Sequence, residues 1–227
     1  MALIFELDRA TPARHEAVRA AVDALRAGGL VVLPTETVPG IACRADDPAA
    51  TARLFDAKRR SKDLGLPVMA ATADEALGLA VPNGAARVLA STFWPGPLTI
   101  VLERSARSRS WALGDRPDTI ALRVPDRRVT LAILAGAGPL AVSSANRSGR
   151  PPGSGVDELR GAFGDLVDVY VVAAEEGTPR REPAPSTVVD LTCDPFRIAR
   201  GGPITEAEIM RVVVEGFGPG RTGHSVD

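Results

Sequence analysis

Two pairs of residues, each spaced by two, carry the chemistry this sequence offers. Lys58 and Arg60 sit in Ala57-Lys58-Arg59-Arg60-Ser61-Lys62, and Ser144 and Asn146 in Ser143-Ser144-Ala145-Asn146-Arg147-Ser148-Gly149. Of 27 Lys and Arg residues only Lys58 and Lys62 are lysine, so both compact ammonium groups of an arginine-rich chain fall in one short segment. If that segment is extended, Lys58 and Arg60 share a face; the alternative is a solvated basic turn closing a helix. Four polar segments stand where strands are expected to end: 34–40, 58–62, 143–149 and 185–190, with Arg123 and Arg200-Gly201-Gly202 beside them. Cations, hydroxyls and amides suit holding a polyphosphate together with an acidic small molecule, because several positive donors offset charge that builds up in phosphoryl or nucleotidyl transfer. This inventory supports an anion-binding cleft and, by itself, no named reaction.

Other chemistries are disfavoured. His15 and His224 have no His, Cys or acidic neighbour at ligand spacing, and Cys43 and Cys193 lie far apart, so no protein-built metal site and no histidine-activated nucleophile is expected. The chain has no Gly-x-x-x-x-Gly-Lys-Ser/Thr loop, no Gly-x-Gly-x-x-Gly opening a helix and no Gly-x-Ser-x-Gly elbow. A net charge of -1 gives no global field toward nucleic acid or membrane, so any basic site must be local. The cysteine usage and the lack of a leader or long apolar run fit a reducing cytosol, with no membrane partner.

The elements that must position these residues follow from periodicity and punctuation. Strands are expected at 3–5, 30–33, 66–70, 98–102, 119–125, 140–142, 167–172, 186–191 and 197–199. Thr11-Pro12 opens a first helix that Gly28-Gly29 ends, Asp47-Pro48 a second, Thr72 with Glu75 a third, and Thr205 with Glu208 a last one; 156–163 is a further short helix. In the strand at 119–125, Thr119, Ala121 and Arg123 share one face. Trp94 reads as a core plug, Glu36 as a loop carboxylate paired with an arginine, and Asp190 as a turn residue. Arg104, Arg107 and Arg109 read as a solvated loop, Cys43 and Cys193 as small buried or half-buried side chains. Strands and helices do not alternate strictly, so a single mixed α/β domain is the economical arrangement.

Six blocks in order carry a resemblance. They are Leu33-Pro34-Thr35-Glu36-Thr37-Val38, Ala57-Lys58-Arg59-Arg60, Phe93-Trp94-Pro95-Gly96-Pro97-Leu98-Thr99, Leu122-Arg123-Val124-Pro125, Ser144-Ala145-Asn146-Arg147-Ser148-Gly149 and Pro185-Ser186-Thr187-Val188-Val189-Asp190. Together they resemble the YrdC family of threonylcarbamoyl-AMP synthases, in the short form that lacks an extra C-terminal domain. The resemblance implies a YrdC-like domain over 13–214 followed by a flexible tail at 215–227, and a twisted mixed sheet flanked by helices around a positively charged cleft.

It implies an enzyme that uses ATP, L-threonine and bicarbonate, with magnesium held mainly by the triphosphate, and a product consumed by partner proteins that modify tRNA. Lys58, Arg60, Ser144 and Asn146 fall on the family's catalytic tetrad. Lys58, Lys62, Thr119, Ser144 and Arg200 would contact ATP, and Thr35, Arg123 and Ser186 threonine. The chain departs from the family at Pro39, where tyrosine is usual, at Pro152-Gly153, where Ser-Pro is common, and at Glu182-Pro183. The competing functions are a related carbamoyl-adenylate enzyme with another substrate and a non-catalytic RNA-binding module. The stretch from Glu175 to Pro185 has the Gly and Pro content of a lid.

Overall fold

The central strands are continuous apolar runs buried on both faces, and the alternation of their side chains sorts the core into two layers. The computed structural model describes residues 1–7, 13–147, 155–173 and 184–216. Thr11-Pro12, Ser148-Gly149, Pro152-Gly153, 175–183, 217–227 and with them His224 lie outside the described residues. Ten strands form one mixed sheet: β1 (Leu3–Leu7), β2 (Val31–Leu33), β3 (Gly40–Arg44), β4 (Val68–Met69), β5 (Leu98–Glu103), β6 (Thr119–Arg123), β7 (Leu140–Ser144), β8 (Val169–Ala173), β9 (Thr187–Asp190) and β10 (Arg197–Arg200). Their order is β1-β8-β2-β3-β7-β4-β6-β5-β9-β10, with β1/β8, β2/β8, β4/β6 and β5/β9 parallel.

On one face, Val31, Leu33, Ala42, Leu140 and Val142 pack against α1 (Ala13–Arg26) and α5 (Arg128–Ala137) through Ala17, Ala21, Leu25, Ile133 and Leu134. On the other, Val32, Ile41, Cys43, Leu98, Ile100, Ile120, Leu122 and Val189 meet α2 (Pro48–Lys58), α3 (Ala73–Leu77), α4 (Gly84–Phe93), α6 (Val156–Phe163) and α7 (Glu206–Gly216). Neighbouring strand residues therefore enter opposite layers, as a period of two requires. The first layer is incomplete. Helix α1 packs over β1, β2, β3 and β8, and beyond it the same face of β4, β5, β6 and β9 is left to line a cavity.

Local signals placed the helix ends. Asp47 accepts from the amides of Ala49 (2.9 Å) and Ala50 (3.0 Å), with Pro48 in the first turn of α2. Thr205 with Glu208 forms a reciprocal capping box, whereas Thr72 caps the Glu75 amide and Glu75 accepts from the Ala71 amide, one residue before the cap. Gly28, at φ +77°, closes α1 in the left-handed region. Trp94 is buried and its indole N–H donates to the Leu98 carbonyl at 2.7 Å, as a core plug with a satisfied polar tip.

Several expectations are corrected. The stretch after Thr72 breaks into α3 and α4, the second capped by Asn83. Strand β3 and helix α5 had no counterpart in the sequence pattern: β3 is extended because β2 and β7 pair with both its edges, and α5 has no side-chain cap to announce it. Strand β4 is confined to two residues. Arg104 is not in a solvated loop. It is 3% exposed, and its guanidinium donates to the carbonyls of Thr119 (2.9 Å), Ser108 (3.2 Å), Trp111 (2.8 Å) and Arg116 (3.3 Å), tying a loop that has no ladder of its own. Cys193 is exposed, whereas Cys43 is buried and its thiol is pushed up to about 12 by burial and then by Asp47.

Candidate active site

The segment between β2 and β3 forms the first wall. The hydroxyl of Thr130, buried in α5, donates to the Pro34 carbonyl and fixes where the chain leaves β2. Thr35 then closes a small turn on itself, donating to the Val38 carbonyl at 2.7 Å and accepting from the Thr37 amide at 3.1 Å. Arg123, at the end of β6 and 4% exposed, reaches this loop. It donates Nε to the Gly96 carbonyl (3.1 Å), Nη1 to the Thr37 hydroxyl (3.0 Å) and Nη2 to Glu36 Oε1 (2.7 Å). Glu36 is thus the arginine-paired loop carboxylate expected from the sequence, and its Oε2 has no partner among the described residues. Three of the five guanidinium N–H groups are used, which leaves two on the terminal nitrogens of a fork held in a fixed orientation.

The second wall is the end of α2. Lys58 is its last residue, Arg59 turns left-handed at φ 50° and ψ 43°, and the amides of Arg59 and Arg60 return to Asp56 (3.0 Å) and Phe55 (3.0 Å). This is a Schellman closure with arginine where glycine is usual. The segment is therefore neither extended nor a solvated turn. Lys58 is 1% exposed, with Nζ donating to the Ser144 carbonyl and to the Asn146 carbonyl at 2.5 Å. Burial, and then the charge of Arg60, push its ammonium down to about 8, although the two carbonyls favour the charged form. Arg60 donates Nε to Leu64 (3.0 Å) and Nη2 to Leu64 and Gly65 (3.0 Å), leaving Nη1 unused among the described residues.

Strand β7 delivers the third wall. The Ser144 hydroxyl donates to Asn146 Oδ1 at 2.5 Å, and the Asn146 amide returns to the Ser144 carbonyl at 2.8 Å. The Ala145 amide donates to the Pro39 carbonyl at 2.7 Å, so this loop and the 34–39 loop are stitched together. The fourth wall is the entry to β9. Arg200 donates Nε and Nη2 to the Ser186 carbonyl (3.0 and 2.9 Å) and Nη2 to the Ser186 hydroxyl (3.1 Å). Gly202 lies flat on the same segment. A Cβ there would meet the Thr187 nitrogen at 2.4 Å and the Pro185 carbonyl oxygen at 2.6 Å, so no side chain fits.

These walls enclose a cavity of about 200 Å³ floored by the uncovered strand residues Met69, Thr99, Ala121, Val142 and Val188. Thr35, Arg60, Arg123, Ser144, Ser186 and Arg200 all line it, six of the residues selected from the sequence. Lys58 and Asn146 are not among its lining residues, and Lys62 is exposed on the 3-10 turn Lys62–Leu64. Thr119 lines a neighbouring hollow with Val101, Asp118, Asp190 and Arg197. It lies on the Ala121–Arg123 face of β6, as alternation required. Thr37 and Thr99 also line the cavity and were given no role from the sequence; the signal available was one hydroxyl interrupting the apolar run Leu98-Thr99-Ile100.

The electrostatics follow from this crowding. Burial lowers the Arg200 guanidinium, and the charges of Arg123 and Arg60 lower it further, so the three cations repel one another across the cavity. Among the described lining residues none is acidic. An anion in this space would relieve both the repulsion and the unused N–H donors. Among the described residues no group of three or more His, Cys, Asp or Glu is placed to hold a metal ion. Among the described residues no helix is long and apolar enough to cross a membrane.

The profile of the Sua5/YciO/YrdC family, described under the heading telomere recombination, matches residues 23–202. A protein of Mycobacterium leprae is 44% identical over 202 residues, covering 88% of this chain and 89% of its own length. The threonylcarbamoyl-AMP synthase of Chromohalobacter salexigens is 37% identical over 173 residues, covering 75% and 90%. Among solved structures, Sua5 of Pyrococcus abyssi in complex with L-threonine superposes with a TM-score of 0.77 at 31% identity, over 93% of this chain. This chain spans 60% of that longer protein.

Proposed function

The chain belongs to the Sua5/YciO/YrdC family, and from that membership we propose that it makes threonylcarbamoyl-AMP from L-threonine, bicarbonate and ATP. The observation that carries this reading is the convergence of Arg60, Arg123 and Arg200, each with donors to spare, on one cavity lined by the hydroxyls of Thr35, Ser144 and Ser186. The amine of threonine takes up bicarbonate as a carbamate, releasing water. A carbamate oxygen attacks the α-phosphorus of ATP, the bond from that phosphorus to the bridging oxygen breaks, and pyrophosphate leaves. Nucleophile and electrophile are both anionic, so the reaction needs fixed positive charge between them.

In this scheme the two remaining N–H groups of Arg123 grip the threonine carboxylate, with Thr35 and Ser186 beside it. Arg60 and Arg200 present their unused Nη1 donors to the phosphates, and Ser144 and Asn146 shape the loop beneath them. Lys58 holds that loop through two carbonyls and keeps a third N–H for the nucleotide. Thr119 takes the nucleoside end from the neighbouring hollow, and Lys62 reaches the phosphates from the rim. Magnesium arrives with the triphosphate as part of the substrate; the chain supplies cations rather than a carboxylate cage. The domain carrying this activity spans 13–214, acts in the cytoplasm, and hands its product to proteins that modify tRNA.

The test is pyrophosphate release from ATP and bicarbonate with and without threonine, with the adenylated product identified by mass. Threonine-dependent release and a threonylcarbamoyl-AMP mass are expected, and Lys58→Ala should be inactive. Release that ignores threonine would mean another acceptor. Full activity of Lys58→Ala would remove the assigned machinery.

A further inference from the structure

A chain of hydrogen bonds runs along the first wall of the cavity, and its two ends fix its direction. At one end the Arg123 guanidinium, which can only donate, gives an Nη1 proton to the Thr37 hydroxyl at 3.0 Å. At the other end the Val38 carbonyl, which can only accept, lies 2.7 Å from the Thr35 hydroxyl. Between these ends the two hydroxyl oxygens stand 2.9 Å apart, and the Thr37 amide donates to Thr35 Oγ1 at 3.1 Å.

A hydroxyl has one proton to give and two lone pairs to fill. The Thr35 proton belongs on the Val38 carbonyl. Turned toward Thr37 instead, it would leave two acceptor oxygens facing each other at 2.7 Å in a buried turn, with no proton between them. Thr37 therefore donates to Thr35, and Thr35 is saturated: its proton is on Val38 and its lone pairs are filled by the amide and the hydroxyl of Thr37. Its hydroxyl has nothing left for a ligand. Thr37 gives its proton to Thr35 and one lone pair to Arg123, so among the described residues one lone pair is its remaining valence. Thr37 is half-buried and lines the cavity, whereas Thr35 is 7% exposed. The first wall thus offers an acceptor beside Arg123, whose two unused N–H groups are donors.

We propose that the remaining lone pair of Thr37 accepts a hydrogen bond from the nitrogen of the bound amino acid. This rests on the threonine-binding reading of the cavity given above. The nitrogen carries at least one N–H as ammonium, as amine and as carbamate, so one acceptor serves it before and after bicarbonate is taken up. Neither the ammonium nor the planar carbamate nitrogen can accept, so the surrounding arginines give it no partner. The β-hydroxyl, by contrast, can accept from their surplus N–H groups. A neutral acceptor also favours the ammonium less than a carboxylate would, and only the unprotonated amine is a nucleophile. Arg123 and Thr37 then hold the carboxylate and the α-nitrogen of one amino acid from neighbouring atoms.

The test is the affinity of the full chain for three ligands, read by calorimetry and by competition with L-threonine in pyrophosphate release. L-Threonine has both donors, L-valine lacks the hydroxyl, and (R)-β-hydroxybutyrate lacks the nitrogen. Thr37→Val keeps the shape and removes the lone pair. It should weaken L-threonine and L-valine by the same factor, about fivefold, the worth of one hydrogen bond, and leave (R)-β-hydroxybutyrate within twofold. Thr37→Ser keeps the hydroxyl and should bind all three as the wild type does. Equal weakening of all three ligands in Thr37→Val would overturn the proposal, by making Thr37 only a support for Arg123. A loss confined to the two hydroxylated ligands would overturn it by moving the contact to the β-hydroxyl, and so would no loss at all. A wild-type protein that binds no L-threonine and releases pyrophosphate without it would instead overturn the substrate assignment, and the proposal with it.

Discussion

Replacing Lys58 by methionine should leave a protein whose stability relative to the wild type is most favourable at neutral pH and declines as the pH rises. The folded state holds this ammonium at about 8 against the ordinary lysine value of 10.5. Between those values the unfolded chain binds more protons than the folded one, so wild-type stability increases with pH across the window and is lowest below it. At about 1.36 kcal/mol per pK unit the depression is worth about 3 kcal/mol in all. Most of this, roughly 2–3 kcal/mol, is recovered between pH 7 and pH 10.

Methionine fills the same channel without a charge and has no such dependence. The stability difference, variant minus wild type, should therefore shrink by roughly 2–3 kcal/mol from pH 7 to pH 10, or roughly 5–10 °C in Tm for a domain of this size. The loss of the donor to the Ser144 and Asn146 carbonyls is the same at every pH and cancels from that change. All other titrating groups are common to both proteins. Urea unfolding followed by circular dichroism at pH 7, 8.5 and 10 measures the difference directly. Parallel pH profiles for the two proteins would refute the reasoning, by showing that burial and Arg60 do not destabilise the ammonium.

Three further outcomes are expected. Arg104→Met removes the donor to four backbone carbonyls and should cost about 3 kcal/mol of stability while threonine KM stays within twofold; an unchanged Tm would return Arg104 to the surface. Gly202→Ala places a Cβ 2.4 Å from the Thr187 nitrogen, so the segment carrying Ser186 must move, with a loss of about 1–3 kcal/mol. Threonine KM should rise with it, and wild-type kinetics would mean that the segment tolerates the shift. Glu36→Gln breaks the buried pair with Arg123, whose side chains are 12% and 5% exposed, but keeps a carbonyl acceptor; the expected cost is about 1–3 kcal/mol, below that of full removal. Calorimetry should also find weaker threonine binding, and an unaltered Kd would assign the orientation of Arg123 to Thr37 and Gly96 alone.

The sequence by itself determined whatever is written in short windows. The Asp47-Pro48 cap, the Thr72 and Thr205 caps, the apolar run of β2 and the shared face of Thr119, Ala121 and Arg123 depend on neighbours within one turn or one pleat. So does the choice of Lys58, Arg60, Ser144 and Ser186 as chemistry-bearing residues, since each stands in a polar block at the end of an element, and of Arg123, a cation on an otherwise apolar strand. Tertiary structure decided the rest. β3 is a strand because β2 and β7 flank it, and α5 is a helix whose apolar side closes on α1, with no cap of its own. The same basic segment could be a solvated turn or the rim of a site. Only packing against the Ser144–Asn146 carbonyls, 86 and 88 residues away, buries Lys58. Arg104 looks like any surface arginine until the loop it ties is folded round it, and Thr99 acquires a partner only when β5 and β9 align. Propensity and periodicity are properties of a few consecutive residues, whereas burial and the satisfaction of a buried donor depend on which distant segment arrives beside it.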